Sequence, residues 1–126
     1  MKFYLQKTQE IDALAINFND TDSIRHVVID GRLDGPGSDA IGIKFAVLSK
    51  LEGCRMVVDI SQVTFLASLG IRLLVVNAKN LNVHGGRMVL FVGDNEAVAS
   101  NLEATGISAL IPMFTDISEA NQAALA

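Results

Sequence analysis

Short apolar runs alternate along the chain with polar, glycine-punctuated breaks, and the spacing inside each run separates strands from helices. "IRHVVIDGRL" (Ile24 to Leu33) is rich in β-branched residues and predicts a strand. "LAINF", ahead of it across the polar "NDTDS", predicts a hairpin partner. "DGPGSDA" predicts a loop in which Ser38 or Asp39 caps the next helix. From Ala40 to Leu51, the apolar residues Ile43, Ala46, Val47 and Leu51 recur at helical spacing and predict a helix. "RMVVDI" (Arg55 to Ile60) is short and apolar apart from Arg55 and Asp59, as in a strand buried on both faces.

A helix is predicted from Ser68 to about Val83, with Ile71, Leu74, Val75, Ala78 and Leu81 on one face. "HGG" ends it, with a glycine suited to a left-handed C-terminal cap. "RMVLFV" (Arg87 to Val92) predicts a second buried strand. "DNEAVASNLEATG" predicts a helix with an acidic first turn, ending at Gly106. "ALIPMF" predicts a short strand that its proline places at a sheet edge, and "DISEANQAAL" a final amphipathic helix. After the hairpin, helices and strands alternate through short loops. That order predicts one α/β domain over residues 1–126, with a mixed, mostly parallel sheet and about four helices packed against it. The first twenty residues give no clear pattern and fit either a helix or an extra strand.

Composition narrows the function. Half the residues are hydrophobic and 19% are charged, so a core can form without staples. One cysteine, Cys54, excludes an internal disulfide framework, and its position ahead of a strand suits a small buried hydrophobe. The net charge is −4, basic residues are scattered singly, and there is no Trp and one Tyr. These features argue against nucleic-acid binding. The N-terminus lacks a signal-peptide core, and no uncharged apolar run is long enough to span a bilayer. A soluble, cytoplasmic protein without cofactor or metal is expected.

The polar residues at junctions are the candidates for chemistry. Ser68 stands where an apolar strand hands over to an apolar helix. Its oxygen suits an N-cap, and a phosphate there would be favoured by the free amides and the dipole of the helix start. A second helical row of Leu69, Arg72, Leu73, Val76 and Asn80 begins beside it. That row reads as either a wider core stripe or a partner-docking surface. Asp34 in "GRLDG" suits turn chemistry, and Asp59 can cap a turn through Ser61 and Gln62. His26 and His84 stand alone, without metal-ligand spacing. Phosphate-binding loops, dinucleotide fingerprints, a nucleophile elbow and HExxH are all missing. A small enzyme using Ser68 or Cys54 would need a base, and none is identifiable.

The assembled pattern resembles a known family. "GRLD", "VVDISQVTFLASLGIRLL", "GGRMVL" and "LEATGI" are similar, in order, to the STAS domain, and specifically to bacterial anti-sigma factor antagonists. The likeness covers roughly residues 25 to 120. It implies a partner-switching protein. The unphosphorylated antagonist binds an anti-sigma factor that is a serine kinase, the kinase uses its own ATP and Mg²⁺ to phosphorylate it, and a phosphatase resets it. By position, the phosphoacceptor falls on Ser68. Partner contacts fall on Ala67, Ser68, Leu69, Gly70, Arg72 and Leu73, with Asp34 beside them. Two departures stand out: Ala67 replaces the family's usual Asp, and Leu69 replaces a second small residue. A different class also fits, a non-phosphorylated STAS scaffold or an adaptor subunit of a signalling or transporter complex. The sequence leaves the oligomeric state open, a homodimer included.

Overall fold

In the computed structural model, which describes residues 14–126, the chain runs β1 (Ala15–Thr21), β2 (Ile24–Leu33), α1 (Gly35–Leu48), β3 (Arg55–Leu66) and α2 (Ser68–Val83). It continues through β4 (Arg87–Phe91), α3 (Glu96–Thr105), a single 3₁₀ turn at Ile107–Ala109, β5 (Met113–Phe114) and α4 (Ile117–Leu125). The strands lie side by side in chain order, β1-β2-β3-β4-β5. β1 pairs antiparallel with β2, and every later pair is parallel. The expected mixed, mostly parallel sheet with four helices is therefore present. The unpatterned start of the chain divides: residues 1–13 lie outside the described residues, and Ala15 onward is strand.

Strand pleating distributes the core between two layers. On one side, Val27, Ile29, Leu33, Met56, Val58 and Leu90 point toward α1, α2 and α3, where they meet Phe45, Leu74 and Leu102. On the other, Ile24, Val57 and Val89 face α4 through Ala120 and Ala124. The small alanines let α4 lie close on the sheet. Its His26 neighbour is held by a 2.9 Å hydrogen bond between His26 Nε2 and Asn121 Oδ1. Cys54 is buried at the start of β3, where burial pushes its thiol up and suppresses the reactive thiolate.

The strand expected over "ALIPMF" is reduced to Met113–Phe114, and its Ala109 belongs to the 3₁₀ turn. Two further elements differ from the sequence expectation, each for a local physical reason. β3 does not end at Ile60 but continues through the polar "SQVT" to Leu66. Its register against β2 slips twice, between Val28 and Asp30 and between Gly31 and Arg32, so β3 carries extra, bulged residues there. Asp59 Oδ1 accepts from the Ser61 amide and hydroxyl at 2.9 and 2.6 Å. The Asn95 side-chain amide donates to the Ser61 and Val63 carbonyls at 3.1 and 2.9 Å. These side chains satisfy backbone that the ladder leaves free, and the strand persists through a turn-like sequence.

The second difference is α1. It starts at Gly35, not Ala40, because Asp34 caps it: Asp34 Oδ1 accepts from the Gly37 amide at 2.8 Å and Pro36 sits in the first turn. Ser38 and Asp39 are inside the helix. The buried face is Ile41, Phe45 and Leu48, whereas Ile43, Val47 and Leu51, which carry the helical spacing in the sequence, are exposed. This helix is apolar on nearly every side, so periodicity alone could not choose its inner face.

Candidate functional site at the start of α2

The parallel strands β2 and β3 end together. Arg32 is in register with Phe65 and Leu33 with Leu66, and the Ala67 amide donates to the Leu33 carbonyl at 3.0 Å. One residue, Ala67, then separates β3 from α2. The Asn101 side chain of α3 donates to the Leu66 carbonyl at 2.9 Å and fixes the strand end from the opposite side. Neither sheet register nor the sequence motif pointed to Asn101; its role comes from packing between distant segments.

Because β3 reaches Leu66, Ala67 takes the N-cap position and Ser68 becomes the first helical residue. The expectation that Ser68 itself caps the helix is therefore corrected: no side chain accepts a hydrogen bond from this helix start. The first-turn amides of α2 remain without a side-chain acceptor. Ala67 stands at the position where the resemblance places an aspartate, and an aspartate there would be a good cap. We expect Ala67→Asp to stabilise the protein by about 1 kcal/mol. In a thermal melt this is a rise of about 4 °C.

The remaining predicted residues sort by exposure. Ser68, Leu69 and Arg72 are exposed, Ala67 and Leu73 are partly covered, and Gly70 is buried. Gly70 faces inward, where a Cβ would stand 2.4 Å from the Leu33 carbonyl oxygen, so it sets how closely α2 approaches β2. The inner stripe of α2 matches the expectation: Leu74, Ala78 and Leu81 are buried, with Ile71 and Val75 packed against them. Gly85, with φ of 77°, follows the helix in the left-handed conformation.

Asp34 has a second partner. Arg32 Nε donates to Asp34 Oδ2 at 3.1 Å while its guanidinium lies 4.3 Å over the Phe65 ring. Phe65 is itself exposed, so an aromatic ring, a guanidinium and a carboxylate form a small platform on the ends of β2 and β3. The Gly37 amide, and after it the Arg32 guanidinium, hold the Asp34 carboxyl below its ordinary value. A depressed carboxyl stabilises the fold above its unfolded pKa and loses that contribution as pH falls through the folded one. Asp34→Asn keeps a cap acceptor but removes the charge. Urea unfolding should show wild type ahead of Asp34→Asn at neutral pH, with the gap closing once the pH falls below about 4.

The site is thus an exposed serine and leucine on the first turn of a helix, set at the ends of two parallel strands of an α/β sheet. The STAS domain family model matches residues 15–120, and the chain belongs to that family. Among solved structures, an anti-sigma factor antagonist from Mycobacterium paratuberculosis is similar, with a TM-score of 0.80 at 20% identity over 91% of this chain and 97% of that one. An anti-sigma-factor antagonist (STAS) domain protein from Planctomyces limnophilus has a TM-score of 0.77 at 21% identity, over 88% and 98% of the two chains. The Bacillus cell fate determinant SpoIIAA in its phosphorylated form has a TM-score of 0.63 at 15% identity, over 86% and 99%. These likenesses establish the fold. A comparison with curated proteins found no match. No helix among the described residues is long and apolar enough to cross a membrane.

Proposed function

We propose that this protein is an anti-sigma factor antagonist, controlled by phosphorylation of Ser68. In its unphosphorylated form it binds an anti-sigma factor that is a serine kinase of the histidine-kinase-like ATP-binding fold. Asp34, Ala67, Leu69, Gly70, Arg72 and Leu73 surround or support the contact. The kinase brings ATP and Mg²⁺, transfers phosphate to Ser68 and is released, and a phosphatase restores the binding form. The protein acts in the cytoplasm as a binding module, with no reaction of its own and no cofactor.

The observation that carries this reading is the setting of Ser68. It is exposed on the first turn of a helix whose amides have no side-chain acceptor, and next to it Leu69 is 53% exposed. The hydroxyl is reachable by a kinase, and the helix start favours the anion once formed. The neighbouring leucine supplies the apolar contact that the new charge would disrupt. Incubating the purified chain with its serine-kinase partner and ATP–Mg²⁺, then mapping phosphate by mass spectrometry, tests the reading. Phosphate on Ser68 is expected. A stable complex that leaves Ser68 unmodified would overturn phosphorylation control and favour a constitutive STAS scaffold.

A further inference from the structure

The outward side of the α1–α2 pair carries apolar residues that the described chain leaves uncovered. Ile43 is 82% exposed, Val47 60% and Val76 46%. A groove of about 360 Å³ runs between the helices, with Asp39 and Ile43 on one wall and Leu69, Arg72 and Val76 on the other. Asp39 and Arg72 each lie one turn inside their helix. Among the described residues neither belongs to an ion pair.

We infer that this face binds a second copy of the same chain in a two-fold, weakly associating dimer. α1 and α2 begin side by side, since a Cβ at Gly35 would lie 3.2 Å from Leu69 Cδ1, and they run in the same direction along the groove. A two-fold axis parallel to both helices lays α1 of one copy on α2 of the other at matching height. Asp39 then meets the partner's Arg72 and Arg72 meets the partner's Asp39. One turn further along, Ile43 meets the partner's Val76 and Val76 the partner's Ile43. The patch is complementary to itself in charge and apolar at its centre, which is what an isologous contact requires.

Helix lengths limit the strength. Helices of 14 and 16 residues are about 21 and 24 Å long, and a packed pair presents a face roughly 20 Å wide. Two such faces bury on the order of 900 Å² together, the range of transient contacts. Leu69 and Arg72 also belong to the proposed partner-docking surface, so self-association and partner binding compete. The dimer itself does not depend on the kinase reading, because it is tested with the purified chain alone.

Analytical ultracentrifugation of the full chain over a concentration series, up to about 1 mM, is the experiment. A reversible monomer–dimer equilibrium is expected. Asp39→Arg and Arg72→Asp should each weaken it by about tenfold, because each turns two attractions into two repulsions. The double variant should return to near the wild-type constant. Ile43→Glu should leave a folded monomer, with the fold checked by circular dichroism. A wild type that stays monomeric throughout, a double variant no better than the singles, or a dimer that survives Ile43→Glu would each overturn the inference. The first result would assign the groove to a different partner.

Discussion

Ser68→Asp is expected to weaken binding to the kinase partner by on the order of 100-fold, about 2.7 kcal/mol. Two effects act in the same direction. In the free protein the uncapped start of α2 welcomes a carboxylate, through its dipole and its unfilled amides. In the complex the same carboxylate must leave water beside Leu69, and burying a charge without a partner costs several kcal/mol. The free state is favoured and the bound state penalised. Ser68→Ala separates this from loss of the hydroxyl. Because Ser68 makes no capping hydrogen bond, Ser68→Ala should leave stability unchanged within about 0.5 kcal/mol. Isothermal titration with the three proteins reads the difference, with Ser68→Ala close to wild type.

Gly70→Ala is expected to lower stability by about 2 kcal/mol, although alanine is the better helix former. Helix propensity alone favours the change by about 1 kcal/mol. The packing opposes it more strongly. The new Cβ would stand 2.4 Å from the Leu33 carbonyl oxygen and 2.7 Å from Leu33 Cγ. A backbone carbonyl cannot rotate away, so α2 must shift from β2 and drag Ser68 and Leu69 with it. Gly42 provides the contrast. It lies inside α1 with nothing within 4 Å of its Cβ position, so Gly42→Ala should gain up to about 1 kcal/mol. One chemical change of opposite sign at two helical glycines, read by urea unfolding, distinguishes packing from propensity. Gly70→Ala should also reduce partner binding, because the docking surface moves.

Much of this arrangement was legible in the sequence because local and global signals agree there. α2 from Ser68 to Val83 has a clean inner stripe and a glycine stop, and its limits match the structure. The strands Ile24–Leu33 and Arg87–Phe91 and the capped helix before Gly106 follow for the same reason. What was hidden depends on contacts between distant segments. The tail of β3 looks like a turn, and pairing with β2, helped by the Asn95 side chain from a distant segment, makes it a strand. That extension moved the cap from Ser68 to Ala67, a one-residue change that alters what Ser68 does. α1 hid its inner face because Ile41 and Phe45 compete with Ile43 and Val47 in an apolar sequence. The exposed set that resulted is the surface on which the dimer is proposed. The Arg32–Phe65–Asp34 platform follows from strand register and could not be read from spacing along the chain.

The central claim is that charge on Ser68 decides whether this protein holds its partner. The most direct measurement is the dissociation constant for the kinase, taken with unmodified protein and with protein phosphorylated stoichiometrically at Ser68. Phosphate adds about −2 charge at neutral pH, more than Ser68→Asp supplies. The predicted result is an affinity at least about 100-fold weaker for the phosphorylated form. Equal affinities for the two forms would contradict the account.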